Sequence, residues 1–269
     1  MTSHDVVAVV RRTLGERRVG HAGTLDPDAT GVLLVGVGSL TRVLRFLQDL
    51  PKTYTGEVVL GTATSTLDAS GDVTTTADMS AVSVDDARRV VDAHLTGPIL
   101  QVPPMVSALK VGGRRLHELA REGIEVERAA RPVTVYRFDV EPGPEPGVLS
   151  IEVVCSSGTY VRSLAADLGS LLGGAAHLRN LRRTAIGSFT VEQARRLDDL
   201  ELLPGATALR DVAAVTVDAS GADAVAHGRT LPRPDGDGPW AVLDADGALL
   251  AVYEADGERA KPAVVLAAG

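Results

Sequence analysis

The sequence predicts an α/β chain, a large body of alternating strands and helices followed by a small β domain. Three observations carry this prediction. Apolar residues recur at helical spacing in some windows and in alternating or contiguous runs in others, so helices and strands alternate along residues 3–193. From Pro204-Gly205 the composition shifts to Ala, Gly and Asp, and only short β-like runs separated by Asp-Gly turns follow. Charge divides near the same place: residues 1–197 hold 22 Lys/Arg and 22 Asp/Glu, whereas residues 198–269 hold 5 and 13. The boundary is expected at 210/211, giving a body of residues 1–210 and a tail of residues 211–269. No internal repeat, low-complexity tract or heptad array is present.

Each element follows from local signals. Ser3 is the expected N-cap of a helix whose Val6, Val7, Val10 and Leu14 share one face, and Gly15 ends it. Residues 20–31 form a glycine-rich loop, and Val32 to Gly38 reads as a buried strand. Gly36-Val37-Gly38 leads into a helix from Leu40 to Leu50. With Thr41 in the third glycine position and no ribose-binding acid after it, this is a helix-entry turn rather than a dinucleotide site. Tyr54 to Leu60 alternates as a strand. Thr64 to Asp72 is a polar loop whose Asp68 to Asp72 portion hints at calcium but lacks the EF-hand glutamate. Ser83-Val84-Asp85-Asp86 has the form of a capping box for a helix through Leu95, stopped by Gly97-Pro98.

Further along, Pro103-Pro104 forces an extended segment, Gly112-Gly113 makes a turn, and a helix runs from Arg114 to Glu122. Strands are expected near 131–140 and 148–155. A helix from Thr159 to Leu172 carries Val161, Leu164, Ala165, Leu168 and Leu172 on one stripe, with Tyr160 and Arg162 in its first turn. Arg179 to Val191 is a basic, strand-like segment, and Thr190 to Gln193 has the form of a cap for a short helix. In the tail, Trp240 to Leu243 and Leu249 to Tyr253 read as strands.

Composition bounds the function. A chain of 269 residues, 45% hydrophobic and 23% charged, has ample core for one large or two smaller domains. Cys155 is the only cysteine, which excludes a disulfide framework and points to a reducing cytoplasm. No signal-peptide pattern opens the sequence and no apolar run approaches spanning length, so a soluble, cytoplasmic protein is expected. The net charge of −8 speaks against a nucleic-acid partner, but the excess lies in the tail. Residues 162–196 carry six Arg against Asp167 and Glu192, a basic segment compatible with phosphate binding.

The stretch around which the chain is organised is Gly20-His21-Ala22-Gly23-Thr24-Leu25-Asp26-Pro27-Asp28-Ala29-Thr30-Gly31. Pro27 bars the α region to Asp26 and fixes its own φ, so Asp26 is held extended at a defined turn. A carboxylate on a rigid loop beside a buried strand is a common catalytic setting. An Asx turn, with Asp26 or Asp28 bonded to nearby amides, is the more ordinary use of these residues. The histidines His4, His21, His94, His117, His177 and His227 show no metal-ligand spacing, and one cysteine builds no thiolate site. No nucleophile elbow or Walker loop occurs. These residues offer a cofactor-free enzyme built on a carboxylate, an arginine and a tyrosine, or a non-catalytic RNA-binding protein.

The Gly20–Gly31 stretch resembles the catalytic motif of the bacterial tRNA pseudouridine-55 synthases, the TruB family of pseudouridine synthases. Further matches follow in the family's order: Lys52-Thr53-Tyr54, Gly61 to Asp68, Pro103 to Lys110, Gly158 to Arg162, and Leu181-Arg182-Arg183. The resemblance implies a mixed, mainly antiparallel sheet with flanking helices, a PUA-like tail, and isomerisation of the T-loop uridine at tRNA position 55 without a cofactor. By resemblance, Asp26 is the catalytic carboxylate, Arg162 its cationic partner, and Tyr54 the tyrosine that stacks on uracil and serves proton transfer. His21 resembles the residue that fills the space left by the extruded base, and Leu181 the aliphatic residue packed on that base. Tyr160, Lys110, Arg182 and Arg183 complete the expected RNA-binding set. The implied partner is the T stem-loop of tRNA, bound by a monomer. A tRNA-binding protein of the same fold with impaired catalysis is the alternative, and an oxidoreductase would rest on Gly36-Val37-Gly38 alone.

The sequence departs from the family pattern in two respects. Val106 and His117 stand where the family often carries aromatics. The family's N-terminal strand with its Lys-Pro-x-Gly segment has no counterpart before Thr2-Ser3, so the expectation is that such a strand lies upstream of Met1.

Overall fold

Helices begin where side chains can cap them. Thr2 caps the helix Ser3–Leu14: its Oγ1 accepts the Asp5 amide at 3.2 Å, while Asp5 accepts the Thr2 amide at 2.8 Å. The cap therefore falls one residue before Ser3, whose buried hydroxyl serves elsewhere. Gly15, at φ 63°, ends the helix in the left-handed region as expected. In the computed structural model, residues 1–266 are described. Ala267, Ala268 and Gly269, at the end of the expected tail, and the side chain of His117 lie outside the described residues.

The chain forms two compact units, one from residues 1–27, 33–50 and 187 onward, the other from residues 28–32 and 51–186. In the first unit, the strand Val19–Ala22 pairs antiparallel with Leu34–Val37, placing His21 opposite Val35. The glycine-rich stretch thus opens as a strand, which the weak β propensity of glycine and histidine conceals. Val7 and Val10 of the first helix pack with Val19 beneath this pair. The segment expected as an α-helix over Leu40–Leu50 winds as 3-10 turns over Gly38–Leu47, burying Val43, Leu44 and Leu47. Leu44 packs on Gly36, where a Cβ would come within 2.9 Å of its Cγ, so that glycine is there for packing.

The C-terminal sheet of this unit runs in the order Ala213–Thr216, Trp240–Leu243, Leu249–Asp256, Arg259–Val265, Leu231–Pro232. Its first pair is parallel and the others antiparallel. Trp240 and Tyr253 are buried at its centre with Val225, which comes from a helix, Ala219–Ala226, that the β-like composition of the tail does not announce. Asp218 caps that helix by accepting the Gly221 amide at 2.7 Å.

The second unit is the mixed, mainly antiparallel sheet of the expectation. Its strands lie in the order Ala176–Ile186, Lys52–Leu60, Val148–Cys155, Arg131–Pro142, Gly97–Gln101, each antiparallel to its neighbour. Thr30–Gly31 adds a short parallel pairing against Arg182 and Arg183. Ser83 caps the helix Val84–Val90 through the expected box with Asp86, and the helix ends in a π turn, Val91–Leu95. Val91, Leu164, Ala165 and Leu168 from the helices meet Val58, Val135, Val153 and Leu178 from the sheet in one core. Burying each larger aliphatic side chain here stabilises the unit by about 1.5–3 kcal/mol.

Candidate active site

In the first unit, residues 20–27 of the glycine-rich stretch are fixed from the start of the first helix. Ser3 is 4% exposed, and its Oγ accepts the Leu25 amide at 3.0 Å while donating to the Leu25 carbonyl at 3.3 Å. Both backbone groups of the residue before Asp26 are therefore held by one hydroxyl. Asp26 follows, half-buried. His21 meets the ring of His4 edge-on, with centroids 5.7 Å apart and planes at 80°.

In the second unit, Tyr54 stands on Lys52–Leu60 opposite Val153 and Arg183, half-buried against the core. Arg162 is the second residue of the helix Val161–Leu171 and is 4% exposed. Tyr160 falls just before that helix in extended conformation rather than within its first turn. Gln101, itself 2% exposed, fastens it: Gln101 Oε1 accepts the Tyr160 amide at 2.8 Å and Nε2 donates to the Tyr160 carbonyl at 3.1 Å.

Burial of Arg162 demands acceptors, and two come from backbone. Nη1 donates to the Thr66 carbonyl at 2.8 Å and Nη2 to the Val106 carbonyl at 3.0 Å, while the Asp68 carboxylate lies 3.5 Å from Nε. Asp68 is thus a partner of Arg162, a role its place in a calcium-like run of oxygens does not suggest. Its Oδ1 accepts from Thr66 Oγ1, Ser70 Oγ and the Ser70 amide at 2.6, 2.6 and 3.1 Å, so the loop closes on itself. The signal that could have found it is Asp-x-Ser, the pattern of an Asx turn.

Leu181 follows Asn180, which has φ 54°, at an irregularity in the strand, and is half-buried against the core. Arg182 is exposed and donates to Thr30 Oγ1 at 3.2 Å. Arg183 points inward: it is 1% exposed, and its Nε donates to the Val32 carbonyl at 2.8 Å. The expectation that it faces phosphates is corrected by this burial. Lys110 is exposed on a small hairpin, paired across from Arg115. Among the described residues, no cluster of three His, Cys, Asp or Glu could hold a metal ion, and no helix is long and apolar enough to cross a membrane.

This arrangement of sheet, flanking helices and C-terminal β sheet has solved counterparts. A solved structure, described as an H/ACA ribonucleoprotein bound to a substrate RNA containing 2′-deoxyuridine, matches 100% of this chain and 82% of its own at a TM-score of 0.75 and 25% identity. The chain belongs to the TruB family of pseudouridylate synthases: the model of the family's N-terminal domain matches residues 11–161, and two models of its C-terminal parts match residues 162–212 and 212–267. The tRNA pseudouridine synthase B of Rhodococcus jostii (strain RHA1) is 47% identical, over 99% of this chain and 90% of its own length. That of Symbiobacterium thermophilum is 50% identical, over 85% of this chain and 78% of its own. The chain is a pseudouridine-forming isomerase.

Proposed function

We propose that the enzyme isomerises the uridine at position 55 in the T loop of tRNA, with Asp26 as the catalytic carboxylate. The names of the relatives supply the substrate class. The observation that carries the residue assignment is the Ser3 clamp on Leu25, which holds the backbone next to Asp26 within the stretch that resembles the family's catalytic motif. The reaction breaks the bond from uracil N1 to C1′, turns the base and joins C5 to C1′; C5 gives up a proton and N1 takes one up, directly or by exchange with solvent, with no net redox change. A carboxylate suits attack at C1′ or C6. Tyr54 stacks on the base and serves proton transfer, and Arg162 is the cationic partner that the resemblance assigns to the carboxylate.

The target base must leave its stack before reaction. In this reading His21 fills the vacated space, Leu181 packs on the base, and Tyr160 borders it. Lys110 and Arg182, both exposed, face phosphates, whereas Arg183 serves the fold. Residues 1–210 form the catalytic body and residues 211–269 a PUA-like tail, a division supported by the family models meeting at residue 212. The protein acts as a cytoplasmic monomer on the T stem-loop. In the test, Asp26→Asn, which removes the anion and keeps the shape, is incubated with unmodified tRNA and pseudouridine is mapped by mass spectrometry. Activity is expected to vanish while tRNA affinity stays within a few-fold. Substantial residual pseudouridine from the folded variant overturns the assignment.

A further inference from the structure

We propose that an open basin at the C-terminal end of the helix Ser3–Leu14 is a second RNA-binding site, taking a backbone phosphate of the stem that flanks the target loop. It rests on tRNA being the substrate. The basin has a volume of about 480 Å³ and is lined by Ala8, Arg11, Arg12, Gly15, Glu16 and Arg17. Between residues 11 and 18 the chain carries four arginines and the single carboxylate of Glu16, in a protein whose net charge is −8. Glu16 is turned to Arg18: its Oε1 accepts the Arg18 amide at 2.7 Å and lies 3.9 Å from the guanidinium. Arg11 is tethered by Nη2 to the Val19 carbonyl at 2.9 Å, which fixes its guanidinium at the wall and leaves further donors. Arg12 and Arg17 are exposed, and among the described residues neither has an ion-pair partner.

A solvated face at a helix C-terminus is the plain explanation for such charge, because the helix dipole attracts cations there. It accounts for Arg11 and Arg12. Arg17 lies outside the helix, two residues beyond Gly15, yet it lines the same basin. Three arginines line one open basin together with Glu16, and their planar donor forks match phosphate oxygens. The position suits RNA as well. The helix that ends at the basin begins at Ser3, the residue clamping Leu25, and its 12 residues span roughly 18 Å. A duplex stem of that length carries several phosphates on each strand.

The experiment measures the dissociation constant of the full-length enzyme for unmodified tRNA across a salt series, together with kcat at saturating tRNA. Arg12→Glu/Arg17→Glu is expected to weaken binding about five- to ten-fold near 0.1 M salt. It should also flatten the log–log salt slope by about 0.7–0.9 for each phosphate that is no longer neutralised, with kcat unchanged. Arg12→Lys/Arg17→Lys, which keeps the charge, is expected to restore the slope. Arg88→Glu/Arg89→Glu alters net charge equally at side chains already paired with Asp85, Glu141 and Asp86, and is expected to leave the slope alone. An unchanged slope in the Arg12/Arg17 variant, or an equal effect from the Arg88/Arg89 variant, overturns the basin. So does retained tRNA binding with lost affinity for polyglutamate, which would reassign the surface to an acidic peptide. Wild-type enzyme that makes no pseudouridine in tRNA defeats the functional reading instead, and the salt slope still decides the basin.

Discussion

Gly31 shows how tightly single residues are specified at the end of the Gly20–Gly31 stretch. Its φ is 110°, and a Cβ built there would lie 2.0 Å from the carbonyl oxygen of Arg183, inside any van der Waals contact. That carbonyl also accepts the Val32 amide at 2.9 Å, and the Arg183 side chain returns to the Val32 carbonyl. Arg183 therefore grips the segment from both its backbone and its guanidinium, which is why it is buried in the fold and unavailable to RNA. Gly31→Ala must break this grip or move the strand. It is expected to destabilise the protein by more than about 3 kcal/mol, combining positive-φ strain with the clash, as read by a lowered urea midpoint. An unmoved midpoint would show that the segment yields without cost.

At the scale of elements, the loop from Thr62 to Thr76 holds the buried arginine. The short strands Thr62–Thr64 and Val73–Thr76 pair at its base. Leu67 adopts φ 64°, its carbonyl accepts the Leu178 amide, and the Leu178 carbonyl accepts the Ala69 amide, so the loop docks on the sheet by backbone alone. Asp68 then closes the loop on one oxygen and meets Arg162 with the other. Asp68→Ala removes a carboxylate beside the buried Arg162 guanidinium together with the acceptors that close the loop, and is expected to cost about 2–4 kcal/mol. Asp68→Asn keeps the shape and much of the turn and should cost less; equal melting temperatures for wild type and Asp68→Ala would refute this account. The same loop marks where the sequence became opaque. The boxes at Ser83 and at Thr190 were legible because donor and acceptor sit three residues apart. Asp68 offered only a cluster of oxygens, and its partner lies far along the chain. Likewise, one apolar stripe served for both α and 3-10 winding at Gly38–Leu47, and Gln101 gave no sign that it would hold Tyr160.

For the whole molecule, charge is sorted along the chain, and stability should depend on pH at both extremes. On the acid side, hydrogen bonds from Thr2 and Ser83 hold the Asp5 and Asp86 carboxyls below the ordinary carboxylate range, so their help to the fold is lost as pH falls through those lowered values. The alkaline side is set by buried neutral groups, one in each unit. Burial raises the Tyr253 phenol, whose hydroxyl donates to the Arg229 carbonyl at 2.7 Å. Burial likewise pushes the Cys155 thiol from its ordinary 9.0 up to about 11, against weaker opposing pulls from Thr159 and Lys52. Between pH 9 and 11 the unfolded chain therefore holds fewer protons at Cys155 than the folded one. The stabilisation is complete below about pH 9 and disappears as pH rises through about 11. Two pKa units correspond to about 2–3 kcal/mol. Cys155→Ala should be less stable than wild type at pH 8, since it opens space in the sheet core. It should also lose less stability than wild type between pH 8 and pH 10.5, so the gap between the two proteins narrows. Urea unfolding of both at the two pH values makes the comparison, and parallel losses would show that thiolate burial does not shape the alkaline limb.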